Sequence, residues 1–222
     1  QGIADRAGYP STGDAELIVR ELVEADRPII CVGDGVWKSG AGSAIMLLAE
    51  RLGTPIAGDT RAVSIRHPLH CGPFEDAVAA FEPDTVVCIG VRQNARGQPA
   101  DLATYTDSQR ILALGADVSY LKNIPGVEAT FLADESRAIE RILEVVSGST
   151  DDTAFDERRP WAVEQAEALR KNRREVVERA GPQQGFVRPW VLADSLDDAL
   201  ENLGGGMVMI EQFTVSTDAV RD

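Results

Sequence analysis

The chain has 222 residues, 44% hydrophobic and 26% charged, enough apolar material for one sizeable core and a satellite segment. Its 36 acidic against 22 basic side chains give a formal charge of -14, which repels phosphate backbones and anionic lipid head groups and excludes nucleic acid and membrane surfaces as expected partners. No apolar run approaches the roughly 20 residues of a membrane span, the opening QGIADRAGYP lacks a signal pattern, and the scattered Cys31, Cys71 and Cys88 read as reduced thiols, so a cytoplasmic protein is expected.

In chain order, DAELIVRELVEA at 14–25 puts Ala15, Ile18, Val19 and Leu22 on one helical face, with Asp14 as the expected cap. After the stop at Pro28, the unbroken apolar run Ile29, Ile30, Cys31, Val32 has the pattern of a strand buried on both faces of a parallel sheet. SGAGSAIMLLAERLG predicts a helix with Ala41, Ala44, Ile45 and Leu48 inward, leading to the short strand TPIAG. Helix FEDAVAAF precedes strand DTVVCIG, RILALG and ATFLA are further strands separated by the turn-like KNIPGVE, and helix DESRAIERILEVV closes the series. Parallel neighbours need crossover helices, so the alternation predicts an α/β fold: an open, doubly wound, Rossmann-like parallel sheet with helices on both faces.

SGSTDDTAFDERRP is a polar linker, and the helix WAVEQAEALRKNRREVVERAG after it is expected to present Ala162, Ala166, Leu169, Val176, Val177 and Ala180 on one side. PWVLADSLDDALENL, a Gly-Gly-Gly turn and the strand MVMIEQF then begin a further α/β unit that is expected to be truncated and to dock on the preceding sheet or on another copy. The expected organisation is a domain over 1–147, a linker and connecting helix over 148–185, and the start of a second domain over 186–222.

The glycine-bearing loop VGDGVWKSGA at 32–41 joins a buried strand to a helix, where free amides and the helix dipole can receive a phosphate. The spacing of Gly33, Gly35 and Gly40 departs from GxGxxG, so a tight strand-to-helix turn explains the glycines as well. His67, His70 and Cys71 are zinc-type ligands without a fourth at suitable spacing, and they read as capping or packing groups. The basic runs ERR and RKNRRE read as solvated helix faces.

RPIICVGDGVWKSGAGSAIMLLAERLGTPIAGDTRAVSIRHPLHCG resembles the opening of the middle domain of the acetolactate synthase-like family of thiamine diphosphate-dependent enzymes. PDTVVCIGVRQNARG and RILALGADVSYLKN carry the likeness across residues 10–147; the helix at Trp161 is similar to the family's interdomain connection, and VRPWVLADSLDDALENLGGGMVMIEQF to the first helix and strand of its diphosphate-binding domain. The resemblance implies the central scaffold domain of a decarboxylase, lyase or synthase acting on 2-oxo acids or acyl-CoA, not catalytic alone, within a homo-oligomer. Thiamine diphosphate and Mg2+ would then belong to the parent enzyme, between a pyrimidine-binding domain that supplies an activating glutamate and a diphosphate-binding domain that holds the metal through a GDG-to-Asn motif. Here the GDG of Gly33–Gly35 sits in the first strand-turn and the later window GDTRAVS has no asparagine pair, so Asp34 is not expected to ligate magnesium.

Middle domains of the family hold the adenosine diphosphate part of FAD or ADP in some members and nothing in others. Carried over by position, the resemblance implies a cofactor-binding set of Gly33, Gly35, Ser39, Gly40, Arg92, Asp117 and Asp134, in which Arg92 faces a diphosphate and Asp117 accepts from ribose or adenine. Gly115 departs from the pattern, occupying the first of two places where the family commonly has aspartates. The plainer reading makes Arg92 and Asp117 solvated strand-end residues and Asp134 a helix cap. The alternative functions are therefore a module binding FAD, ADP or the adenosine of coenzyme A and, on fold analogy alone, an NAD-dependent deacetylase, whose paired-cysteine zinc spacing is missing.

Overall fold

The structure, a computed structural model, describes residues 8–59, 61–91, 109–122, 124, 126–149, 155–180, 187 and 189–205. They fall into two compact units, Gln1–Leu169 and Arg170–Asp222. In the first, helix α1 (Thr12–Glu24) opens at Ser11, whose hydroxyl accepts from the Asp14 amide while the Asp14 carboxylate accepts from the Ser11 amide, each at 3.1 Å. Asp14, the expected cap, is thus the inner partner of a capping box, because the hydroxyl at Ser11 reaches the free amides first.

Five strands follow: β1 (Pro28–Val32), β2 (Ile56–Gly58), β3 (Thr85–Ile89), β4 (Arg110–Gly115) and β5 (Ala129–Leu132), all parallel, in the order β2-β1-β3-β4-β5. This is the doubly wound sheet expected from the sequence. Alternate strand residues point to opposite faces. Ile30, Val32, Val87, Ile89, Leu112 and Leu114 pack with helices α1, α3 (Gly42–Leu52) and α6 (Glu135–Ser149). Ile29, Cys31, Val86, Cys88, Ile111 and Ala113 pack with helix α4 (Phe74–Phe81) and with Ala166 from the first part of helix α7 (Arg158–Ala180). Every residue of β1 and β3 is buried, which is why both read as unbroken apolar runs.

Two short helices escaped the sequence reading. α2 (Asp34–Ser39) and α5 (Val118–Leu121) have 6 and 4 residues, too few for a period to register. In α3, Ile45 and Leu48 are fully buried as expected and Ala41 precedes the helix as its buried cap, while Ala44 is half-buried. The apolar stripe expected along α7 holds only in part: Ala162 and Ala166 are fully buried, whereas Val176 is 53% exposed. Past Leu169 the helix belongs to the second unit, and the side chains of Val177 and Ala180 lie outside the described residues. Within that unit, helix α8 (Pro189–Asn202) runs as expected and stops at Gly204 and Gly205, both at positive φ, with the Gly205 amide donating back to Leu200 O at 2.8 Å. The strand expected at MVMIEQF lies outside the described residues.

Two arginines fasten α1 to the rest of its unit. The helix carries no basic residue in its last turn, and the Arg158 guanidinium donates to its carbonyls at Leu22 (2.9 Å), Val23 (3.1 Å) and Ala25 (2.7 Å), stacked over the Phe155 ring. Arg110, at the start of β4, reaches the buried Glu21 at 2.5 Å and Glu128 at 3.0 Å.

Replacing Arg158 by Ala leaves the end of α1 without its donors and is expected to cost about 1–3 kcal/mol, read as a lower urea midpoint. Arg158→Lys, unable to fork across the carbonyls, recovers only part. The Arg110 hydrogen bond holds the Glu128 carboxyl below its ordinary value. A carboxyl lowered in the folded state contributes stability above its unfolded value and loses it as pH falls through the folded one. The denaturation midpoint is therefore expected to drop slightly in that acid window, the pair being solvent-exposed, and Glu128→Gln to remove that small contribution.

Candidate functional site

The strand order reverses at β1, with β2 on one side and β3 on the other, and in open α/β sheets ligands bind in the crevice beyond the carboxyl ends of the strands at such a point. Here main chain fills that crevice. The Gly33 amide donates to Ile89 O and the Gly35 amide to Gly90 O, both at 3.0 Å, and the Val36 amide to Gly33 O at 3.1 Å. A Cβ on Gly33 would lie 2.3 Å from Gly90 O, and one on Gly35 would lie 2.7 Å from Gly90 Cα. Gly90, at φ +61, returns the contact, since a Cβ there would meet Val36 N at 2.7 Å. The glycines let the first turn of α2 lie directly on the end of β3, and the Gly33, Gly35 and Val36 amides, which could have cradled a phosphate, already have carbonyl partners. Gly40, at φ 72, ends α2.

Open space lies one strand further along, as a cleft of about 230 Å³ over the ends of β3, β4 and β5. Its walls bring together Gly35, Lys38 and Ser39 of α2, Gly90 and Val91, Gly115 to Asp117, and Asp134 with Glu135. Of the residues singled out from the sequence, Gly35, Ser39, Asp117 and Asp134 line it, Gly33 and Gly40 do not, and Arg92 lies outside the described residues.

Each polar member has a local partner. Asp117 Oδ1 accepts from the Ser119 amide at 2.8 Å and its hydroxyl at 2.6 Å, capping α5. Asp134 Oδ1 accepts from the Arg137 amide at 3.0 Å, capping α6. The Ser39 hydroxyl donates to Val36 O at 3.2 Å, and Lys38 pairs with Asp34 at 2.8 Å.

Glu135, which the sequence reading passed over, is the most enclosed acid of the cleft. Only 6% exposed, it accepts from the Ala116 amide through Oε1 at 3.2 Å, and the same oxygen would stand 2.5 Å from a Cβ on Gly35. A Cβ on Gly115 would lie 3.5 Å from it, so a carboxylate in place of Gly115 would abut that of Glu135. In sequence, Glu135 reads as an ordinary first-turn acid, and only the closeness of Gly35 and Ala116 marks it.

The segment His67 to Gly72 is structural. His67 Nε2 lies 3.1 Å from Glu50 Oε1 and its Nδ1 accepts from the Leu69 amide; the buried His70 accepts through Nδ1 from the Gly72 amide at 3.0 Å. Cys71 N donates to Ile56 O at 2.7 Å and Gly58 N to Gly72 O at 2.8 Å, so the segment covers the free edge of β2. Among the described residues no group of three or more His, Cys, Asp or Glu side chains is placed to hold a metal ion.

Gly35→Ala, which drives a methyl into Gly90 and the Glu135 carboxylate, is expected to lower stability by about 1–3 kcal/mol or more. Gly115→Ala, whose Cβ finds ordinary contact distances of 3.5–3.6 Å, is expected to be tolerated, and thermal melts of the pair check the contrast.

Comparison with known proteins agrees with this architecture. The model of the family described as thiamine pyrophosphate enzyme, central domain, matches residues 15–142. The acetolactate synthase large subunit of Corynebacterium glutamicum is 28% identical over 163 residues, covering 67% of this chain and 26% of that protein. The sulfoacetaldehyde acetyltransferase of Castellaniella defragrans is 28% identical over 144 residues, 60% of this chain and 24% of that protein. Among solved structures, a thiamine diphosphate-dependent 4-hydroxybenzoylformate decarboxylase of Rhodococcus jostii RHA1 superposes with a TM-score of 0.56 at 19% identity over 66% of this chain and 29% of its own, a likeness of fold alone. The chain spans roughly a quarter of the length of these curated relatives. With the family model covering the sheet from α1 into α6, the chain belongs to the family of thiamine pyrophosphate enzyme central domains.

Proposed function

We propose that this chain serves as the central scaffold domain of a larger thiamine diphosphate-dependent decarboxylase, lyase or synthase acting on 2-oxo acids or acyl-CoA. The pyrimidine- and diphosphate-binding domains of the same enzyme are its partners, within a homo-oligomer of the cytoplasm. The observation that carries this reading is the family match over residues 15–142 in a chain spanning 24–30% of its relatives' length. The described residues do not fit thiamine diphosphate with Mg2+. A hard divalent cation needs several converging oxygens, and the one acid in the Gly33–Gly35 turn, Asp34, faces the Lys38 ammonium instead. The contribution of this chain is then mechanical: a sheet covered on both faces holds its neighbours at fixed separation.

A second reading is favoured by the cleft over β3, β4 and β5, which gathers Ser39, Asp117 and Asp134 beyond the carboxyl ends of the strands, one strand along from the filled switch point. In it the chain holds FAD, ADP or the adenosine of coenzyme A, with Asp117 accepting from a hydroxyl and Arg92 meeting the diphosphate.

The purified chain, given pyruvate, thiamine diphosphate and Mg2+, is expected to release no carbon dioxide above the uncatalysed rate, and turnover by the chain alone would overturn the scaffold reading. Titration calorimetry with ADP and FAD decides the second reading. Micromolar binding weakened at least tenfold in Arg92→Ala and Asp117→Ala supports it, and absence of heat with both ligands refutes it.

A further inference from the structure

One row of side chains has chemistry that neither the cleft nor the packing uses. Cys31 of β1 is in register with Cys88 of β3 on one side and with Ala57 of β2 on the other. Ile56 bridges His70, which sets Cys71 beside Ala57. The row Cys71, Ala57, Cys31, Cys88 therefore crosses the sheet at one level, and all of them belong to one buried cluster. Ala57 interposes a strand between Cys71 and Cys31, whereas Cys31 and Cys88 are direct neighbours. Adjacent strands lie about 4.7–4.9 Å apart, within the roughly 4.4–6.8 Å between Cα atoms that a disulfide spans and toward its short end.

We propose that Cys31 and Cys88 are an oxidative modification site, closing to a cross-strand disulfide when the protein meets hydrogen peroxide, with Cys71 left out. One sulfur, as thiolate, attacks a peroxide oxygen and becomes a sulfenic acid with loss of water. The second sulfur then attacks the sulfenic sulfur and expels its hydroxyl as water, so two thiols and one peroxide give one disulfide and two waters. Closure is slow in the resting fold. The hydrogen bond to the Cys88 thiol, with burial adding to it, holds the Cys31 thiol well above its ordinary value, so thiolate is scarce until the strands open locally. Cys31 stands two residues before Gly33, and Cys88 two before Gly90. The bridge therefore forms directly beneath the glycine contact that shapes the cleft wall.

The test treats the reduced full chain with hydrogen peroxide in native buffer, blocks remaining thiols with iodoacetamide after denaturation, and maps peptides without reduction. Trypsin with a glutamate-specific protease separates Cys71 from Cys88 by cutting after Glu75. The expected result is a Cys31–Cys88 peptide pair that dithiothreitol dissolves, Cys71 alkylated throughout, and the same pair in Cys71→Ser. Three alkylated thiols, oxidation to sulfinic acid without a link, or a link that includes Cys71 would each overturn the proposal.

Discussion

The first turn of α2 rests on the end of β3 with no side chain between them, and much of the site follows from that approach. Gly33, Gly35 and Gly90 each sit where a methyl group would collide with backbone, and their amides and carbonyls carry the sheet's pairing past the last strand residues. The pairing continues along the same edge, from the Gly90 amide to Leu114 O at 2.8 Å and from the Ala133 amide to Gly115 O at 3.1 Å. A crevice that stays open in many doubly wound sheets is thus closed between β1 and β3 and reopens over β3 to β5. Glu135 fits into the corner that Gly35 and Gly115 leave clear, so the absence of side chains at two glycines makes room for one enclosed carboxylate.

Such an edge suits a domain that transmits position. Both faces of the sheet are covered, the free edge of β2 is covered by the segment through Cys71, and the end of α1 is tied down by Arg158. A half-buried guanidinium that donates to three carbonyls of one helix end holds that helix more firmly than an exposed ion pair would, because each charge-assisted hydrogen bond satisfies a carbonyl the helix end leaves without a partner. The Arg110 pair with Glu128 is of the exposed kind and adds little by comparison.

The strands and long helices were legible because their burial leaves a period in the sequence. PIICV and TVVCI are apolar throughout because no residue of either meets solvent, and the α3 stripe reads at helical spacing because Ile45, Leu48 and Leu52 face the same core. The caps were half legible: Asp134 reads as a helix cap and is one, while Ser11 was passed over for the acid that follows it. What stayed hidden depends on contacts between distant residues. Nothing within α6 sets Glu135 apart from its neighbouring acids, since its partners Gly35 and Ala116 arrive from α2 and from the turn after β4. Likewise the glycines of 33–41 look the same in a phosphate cradle and in a tight packing contact, and only Gly90, more than fifty residues on, decides between them.

The charges of the cleft weigh on which role the domain plays. Asp117, Asp134 and Glu135 line it against a single described ammonium, Lys38, which pairs with Asp34. Carboxylates accept readily from hydroxyls and amines but repel a diphosphate, and opposite charge at contact range is what makes phosphate sites strong. A nucleotide here would have to satisfy its adenosine at Asp117 while its phosphates rely on Arg92, since the Gly33, Gly35 and Val36 amides of the loop expected to receive them are already paired. A domain whose inner amides are occupied by its own carbonyls, and whose cleft is acidic, is better arranged to hold its neighbours than to hold an anion, which places the scaffold reading ahead of the nucleotide reading on the chemistry of the site itself.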